Sequence, residues 1–342
     1  MKYSFKNDYS EGAHPSILEA LSASNDTQEN GYGLDDYSKK ASDQIKNICK
    51  NPLAKIYFVA GGTLANLLVI SALLKPYESV ISAQSGHINT NETGAIEHSG
   101  FKIHAVHTDN GKLTPEAIFP VLQNHQNFPH QVKPKLVYIS NSTEVGTVYS
   151  LQELKELYDF CRSNNLYLFM DGARLGNALV SEDQLNLKVI AQYTDIFYIG
   201  GTKNGGLFGE AIVVNRPELL TDFDFHLKQK GALLAKGRIL GVQFSRFFED
   251  ELYFKLAKKA NESAQKIRAA LENKNVKFLS DSATNQIFPI LENTVIDKLL
   301  EDFEFYKWSS LDESQSSIRL ITSWSTSKKA VNLFIEKINL YL

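Results

Sequence analysis

Three short apolar runs between Leu166 and Val214 constrain this chain more than any other feature. LYLFM ends at Asp171, DIFYIG is followed by Lys203, and EAIVV comes next. Apolar runs of about 4–8 residues bounded by glycine-rich turns read as buried strands of an α/β sheet. Polar groups just past the strand ends line the usual crevice of that fold. An acid and an amine therefore stand at neighbouring strand ends. Taken alone, they read equally well as an aspartate capping the next helix and a solvated lysine.

The same rhythm fills the first two thirds of the sequence. Strand patterns over Ala54 to Val59, SVISA, KIHAV, KLVYIS and LYLFM alternate with helical ones, among them LQELKELYDFCRSNN. No hairpin signal interrupts them, which predicts a mainly parallel doubly wound sheet with function gathered at the strand C-termini. After Val214 the pattern becomes long, helical and charged. VKFLS, NQIFPIL, FEFYKW and SIRLITSW then read as short strands, and STSKKAVNLFIEKINLYL as a terminal amphipathic helix. The expected organisation is an N-terminal arm and large domain over 1–250, and a small α+β domain over 251–342.

Composition narrows the partners. A net charge of −3 and 22% charged residues leave no electrostatic footprint for nucleic acid. No apolar run approaches the roughly 18 residues of a membrane span, and the N-terminus lacks a signal-peptide core. A cytoplasmic protein is expected, with Cys49 and Cys161 as reduced core thiols. No His/Cys cluster has metal-ligand spacing, so no metal is expected.

Several polar positions carry chemistry. Pyridoxal phosphate needs a lysine for its Schiff base and a carboxylate to keep its ring nitrogen protonated, which the Lys203 and Asp171 pair could supply. Gly61-Gly62 breaks a strand into a helix opened by Thr63. Freed amides at such a turn bind phosphate, although a βα loop also carries glycines for steric reasons alone. His87 falls at another strand end with Glu92 nearby. That histidine could stack on a flat cofactor or move a proton, while Glu92 could orient it or simply satisfy a helix dipole. Tyr32 and Asp35 sit in a turn that equally reads as a surface helix cap.

The order NDYSEGAHP, YGLDDYS, AGGTLAN, GHINTNETG, ISNSTEVG, MDGARLGNA, GGTKNG and SIRLITSW resembles the low-specificity threonine aldolase branch of the β-eliminating lyase family, whose members are fold-type I pyridoxal-phosphate enzymes. The likeness covers almost the whole chain. It implies that Lys203 carries the cofactor, Asp171 faces the pyridine nitrogen, Gly62 and Thr63 hold the phosphate, and His87 stacks on the ring beside Glu92. It further implies that Arg174 and Arg319 fork the substrate carboxylate, with Asn7, Tyr32 and Asp35 nearby. Lys228 would serve a neighbouring subunit's phosphate, and His130, in the polar loop before KLVYIS, would be a second active-site histidine.

Departures accompany the likeness. Asn7 stands where the family usually has serine, Gly61-Gly62-Thr63 replaces an SGT turn, and Ala235 replaces a common arginine. The implied activity is cleavage of β-hydroxy-α-amino acids such as L-threonine, L-allo-threonine or phenylserine to glycine and an aldehyde, in a homodimer or homotetramer with shared sites. An aminotransferase, a β-eliminating lyase acting on another amino acid, and a non-catalytic cofactor binder remain alternatives.

Overall fold

The computed structural model describes residues 2–342. Its centre is a seven-stranded sheet in the order Lys55–Val59, Glu210–Val214, Ile196–Gly200, Tyr167–Asp171, Lys133–Ser140, Glu78–Ala83, Lys102–Val106. Glu210–Val214 runs antiparallel to both of its neighbours, and every other neighbouring pair is parallel. The exception follows from chain length. Residues 201–209 are too few for a parallel crossover, which needs about a dozen, so the chain must turn back. Glycines make that return possible: Gly209 has φ +105°, and a Cβ there would collide with Leu240. Because this strand is reversed, its first residue, Glu210, lies at the rim where its parallel neighbours end, paired in register with Val59 and Gly200.

Side chains alternate across the sheet. Val137, Ile139, Leu168, Met170, Phe197 and Ile199 face one core, covered by helices that include Asp36–Cys49, Leu151–Ser163 and Arg238–Phe247. Leu136, Tyr138, Phe169, Ile196 and Tyr198 face the other, covered by Gly62–Leu73 and Phe223–Gln229. Burial on both faces explains why these strands read as continuous apolar runs.

The charged stretch after Val214 contains three helices: Phe223–Gln229, Arg238–Phe247 and Leu252–Glu272. Left-handed Asp250 and Glu251 separate the last two. Leu252–Glu272 serves both halves of the molecule. Leu252, Tyr253 and Leu256 join the first core, while Ala264, Ile267 and Leu271 join a third core under a small antiparallel sheet. That sheet is built on Gln315–Ile321, flanked by Tyr306–Ser310, Ile290–Glu292 and Gln286–Ile287. VKFLS contributes only an isolated bridge at Phe278, and a helix over Asn293–Asp302 had no expected counterpart. Tyr3–Ser4 pairs with Phe303–Glu304, and Phe5 enters the third core, so the N-terminal arm reaches the small sheet.

Candidate active site

Sheet register assembles the site. Asp171 ends its strand two residues after Phe169, on the face that carries Tyr138 and Tyr198. The Tyr138 hydroxyl donates to Asp171 Oδ2 at 2.5 Å, the Tyr198 phenol also favours the ionised carboxylate, and the Ala173 amide donates to Oδ1 at 3.0 Å. Asn66, on the helix Gly62–Leu73 that covers this face, adds a 3.2 Å bond from Nδ2. Burial by itself would raise the Asp171 pKa, but the charge of His87 and these donors outweigh it and keep the carboxyl below its ordinary value. Asp171 is 4% exposed and held ionised.

The same tyrosine dictates the glycine turn. A Cβ at Gly62 would fall 2.9 Å from the Tyr198 hydroxyl, so the helix can begin this close to Asp171 only with glycine there. Ala65 N bonds Gly61 O, and the first amides of the helix, with the exposed Thr63, border a cavity of about 350 Å³. Lys203, in the 3₁₀ turn Thr202–Asn204, opens onto that cavity together with Asp171, His87 and Glu210. Burial, then the charge of Arg174, depress the Lys203 pKa, against the pull of Asp8, Asp171 and Glu210.

His87 begins a short helix after the strand Glu78–Ala83, and its Nδ1 meets Glu92 Oε1 at 2.7 Å. Burial favours the neutral ring, but the bond to Glu92 and the charge of Asp171 more than offset it and raise the histidine pKa. Glu92 Oε1 also accepts from Asn66 at 2.7 Å, so one asparagine links the carboxylates behind His87 and at Asp171. The half-buried Glu144 accepts at Oε1 from the His87 amide at 2.9 Å and from Ser140 Oγ at 2.6 Å, fixing the histidine's backbone.

The arginines are placed differently from each other. Arg174 is gripped by Asp8, with Nε to Oδ2 at 2.7 Å and Nη2 to Oδ1 at 3.0 Å, while Asn285 Nδ2 donates to the same carboxylate at 2.9 Å. Arg319 lies 5.3 Å from the Tyr306 ring and 4.8 Å from the Trp308 ring, and its buried Nε has no partner. Asn7 Oδ1 accepts from the Tyr9 amide at 3.0 Å and from Ser10 Oγ at 2.9 Å, shaping the turn that puts Tyr9 at the cavity.

Four expected residues are not brought there. Asp35 is buried as the cap of the helix Asp36–Cys49, accepting from Ser38 N and Ser38 Oγ at 2.8 Å, so its oxygens are consumed by the helix end. Tyr32 is 48% exposed with Lys228 Nζ 5.1 Å from its ring centre, and it lines a separate groove. His130 is exposed, with its amide closing a turn onto Asn127 O. Sequence reasoning passed over Asp8, Asn66, Tyr138, Tyr198, Glu144 and Glu210. Asn66 left one signal, an amide in an otherwise apolar helix.

The donor set fits pyridoxal phosphate: an amine of lowered pKa, an ionised carboxylate, a flat histidine and a helix N-terminus border one cavity. Comparison with known proteins agrees with that chemistry. The chain is 32% identical to the low-specificity L-threonine aldolase of Pseudomonas aeruginosa, over 99% of this chain and 97% of that protein. A solved structure of a threonine aldolase from Leishmania major superposes with a TM-score of 0.97 at 45% identity, covering 99% of this chain and all 100% of that one. A serine palmitoyltransferase from Sphingomonas wittichii, at TM-score 0.75, 15% identity and coverages of 99% and 87%, shares the fold. The family model for beta-eliminating lyases matches residues 8–294, and with likeness of that extent this chain belongs to the β-eliminating lyase family.

Proposed function

We propose that the protein is a pyridoxal-phosphate lyase that cleaves β-hydroxy-α-amino acids such as L-threonine to glycine and an aldehyde. The observation that carries the reading is the convergence of Lys203 and Asp171 on one cavity beside the Gly61-Gly62 helix start. When bound, pyridoxal phosphate supplies an electron sink for the pair released at the substrate Cα. Lys203 would hold its carbonyl carbon, the amine being helped by the burial that favours its neutral form. Asp171, kept ionised, would pair with the ring N–H, and the amides at Gly62 with the Thr63 hydroxyl would take the phosphate.

Arg319, with its unpartnered Nε, is the less committed of the two arginines for the substrate carboxylate, because Asp8 already occupies two nitrogens of Arg174. That leaves Arg174 its Nη1/Nη2 edge to offer. In its neutral form, with Nδ1–H committed to Glu92, His87 leaves Nε2 to accept the proton of a substrate β-hydroxyl. Orientation by the carboxylate clamp then decides that the Cα–Cβ bond is the one that breaks.

Incubating the purified protein with L-threonine, L-allo-threonine and phenylserine should release glycine and aldehyde in equal amounts. Pyruvate release, or turnover that requires α-ketoglutarate, would replace this reading with an eliminating lyase or an aminotransferase.

No helix among the described residues is long and apolar enough to cross a membrane. We further infer a cytoplasmic homodimer or homotetramer with shared sites. Support comes from the buried free thiols Cys49 and Cys161 and from the Tyr32–Lys228 cluster, which family likeness assigns to a neighbour's site but which stands away from Lys203 in its own chain. Sedimentation of the active protein should give at least twice the 38.4 kDa chain mass. A fully active monomer would refute the sharing.

A further inference from the structure

Of the carboxylates around the cavity, Glu210 is the most weakly engaged. Asp171 is saturated by Tyr138, Asn66 and the Ala173 amide, and Glu92 is engaged by His87 and Asn66. Glu210 is 4% exposed and lines the cavity beside Lys203. Its Oε1 receives only a long 3.4 Å bond from Thr202 Oγ1, and its buried Oε2 has no partner. Glu92 also leaves its Oε2 unpartnered, but its Oε1 takes two bonds of 2.7 Å, whereas Glu210 has no short bond at either oxygen, and a buried unmatched acceptor is costly. The antiparallel strand has instead delivered an acid to the rim where a basic nitrogen must gain and lose protons.

We propose that Glu210 is the proton holder for Lys203, accepting the proton that the amine must shed before it can act as a nucleophile and returning it when the lysine is displaced. The inference rests on the reading of Lys203 as the amine that carries the cofactor. Lys203 and Glu210 share the cavity without a direct ion pair, so one water relays the proton: a Lys203 Nζ–H bond breaks, a Glu210 Oε2–H bond forms, and the water is regenerated. Ammonium and carboxylate become amine and carboxylic acid, so the net charge of the cavity does not change and no electrons leave the pair. Such an exchange suits a buried site, where separated charges are poorly solvated.

The groups facing Glu210 support a shared proton. Lys203 and the Thr202 hydroxyl favour the ionised acid; Asp171 and burial oppose it, and burial dominates, raising the Glu210 pKa to about 8, far above the carboxylate range. The phenols of Tyr198 and Tyr253 are nearby and neutral, while Arg174 and Asp8 act on Lys203 from its other side.

The test is a pH titration of the visible absorbance of the full-length holoenzyme, wild type against Glu210→Gln. Without the anion, the protonated Lys203 nitrogen is less stable, so the midpoint should fall by about one unit, a tenfold loss of proton affinity. Glu210→Asp should retain part of the wild-type value. A midpoint unchanged in Glu210→Gln overturns the proposal even if turnover drops. If the glutamine variant does not fold, Glu210→Ser carries the same measurement.

Failure of the cofactor reading is separable. It shows as a wild-type protein in which borohydride fixes nothing to Lys203. In that case the pH dependence of Lys203 acetylation by acetic anhydride, read on the Lys203 peptide of the full-length chain, reports the same midpoints without cofactor. Equal midpoints there overturn the proposal too.

Discussion

Replacing Lys203 with alanine should reduce turnover of β-hydroxy-amino acids by roughly 10⁴-fold or more, the scale of losing a covalent nucleophile. The argument starts from placement. Lys203 is borne by a 3₁₀ turn at the end of the strand Ile196–Gly200, and it shares its cavity with Asp171 and His87. Burial and the charge of Arg174 weaken its hold on a proton, which enlarges the neutral amine fraction that can attack a carbonyl. Lys203→Arg separates the charge from the chemistry. Arginine keeps a cation facing Asp8, Asp171 and Glu210, yet its guanidinium stays protonated and cannot form the covalent link. Both variants should therefore be inactive, while borohydride should fix the cofactor to the Lys203 peptide of the wild type only. Appreciable turnover in Lys203→Arg, or a label on a different lysine, would remove Lys203 from the centre of the site.

Legibility in the sequence divided along a physical line. Lys203, Asp171, Gly62 and His87 could be read because each follows an apolar run, and strand ends of a parallel sheet share one rim. That inference is local. Tyr138, Tyr198 and Glu210 reach the site through register across strands: Tyr138 pairs opposite Phe169, and Glu210 lies between Val59 and Gly200. A tyrosine inside an apolar run carries no sign of which face it takes, and a glutamate opening a strand carries no sign of the strand's direction.

The reversed strand was hidden for a related reason. EAIVV has the apolar character of its parallel neighbours, and only the shortness of residues 201–209 betrays its direction. Asp35 shows the opposite failure. Family likeness placed it near the site, while the turn itself read as a helix cap, and the two Ser38 bonds agree with the cap. Asn293–Asp302 was missed because a one-sided apolar pattern in a short polar segment is weak next to flanking strands.

Asp8→Ala should destabilise the protein by about 3–5 kcal/mol, the usual consequence of removing one partner of a buried ion pair. Both conditions for a large effect hold. The Asp8 side chain is 0% exposed and that of Arg174 is 14% exposed, so solvent cannot replace the lost charge well. Both Asp8 oxygens are engaged by the guanidinium fork, with Asn285 adding a third bond, and this carboxylate ties the N-terminal arm to the helix-start arginine and to the small sheet.

The pH dependence has a definite sign. Burial would raise the Asp8 pKa, but Arg174, Lys203 and the hydrogen bonds outweigh it, so the folded value lies below the ordinary one. The stabilisation is then fully present above the unfolded value of about 3.9 and is lost as pH falls through the lower folded value. Urea unfolding near neutral pH should show the full difference between wild type and Asp8→Ala, and the gap should narrow only in strong acid. Asp8→Asn, which keeps the shape and one acceptor, should lose less. A difference below about 1 kcal/mol at neutral pH, the range of a solvated surface pair, would show that Arg174 finds another counter-charge and is free to bind substrate.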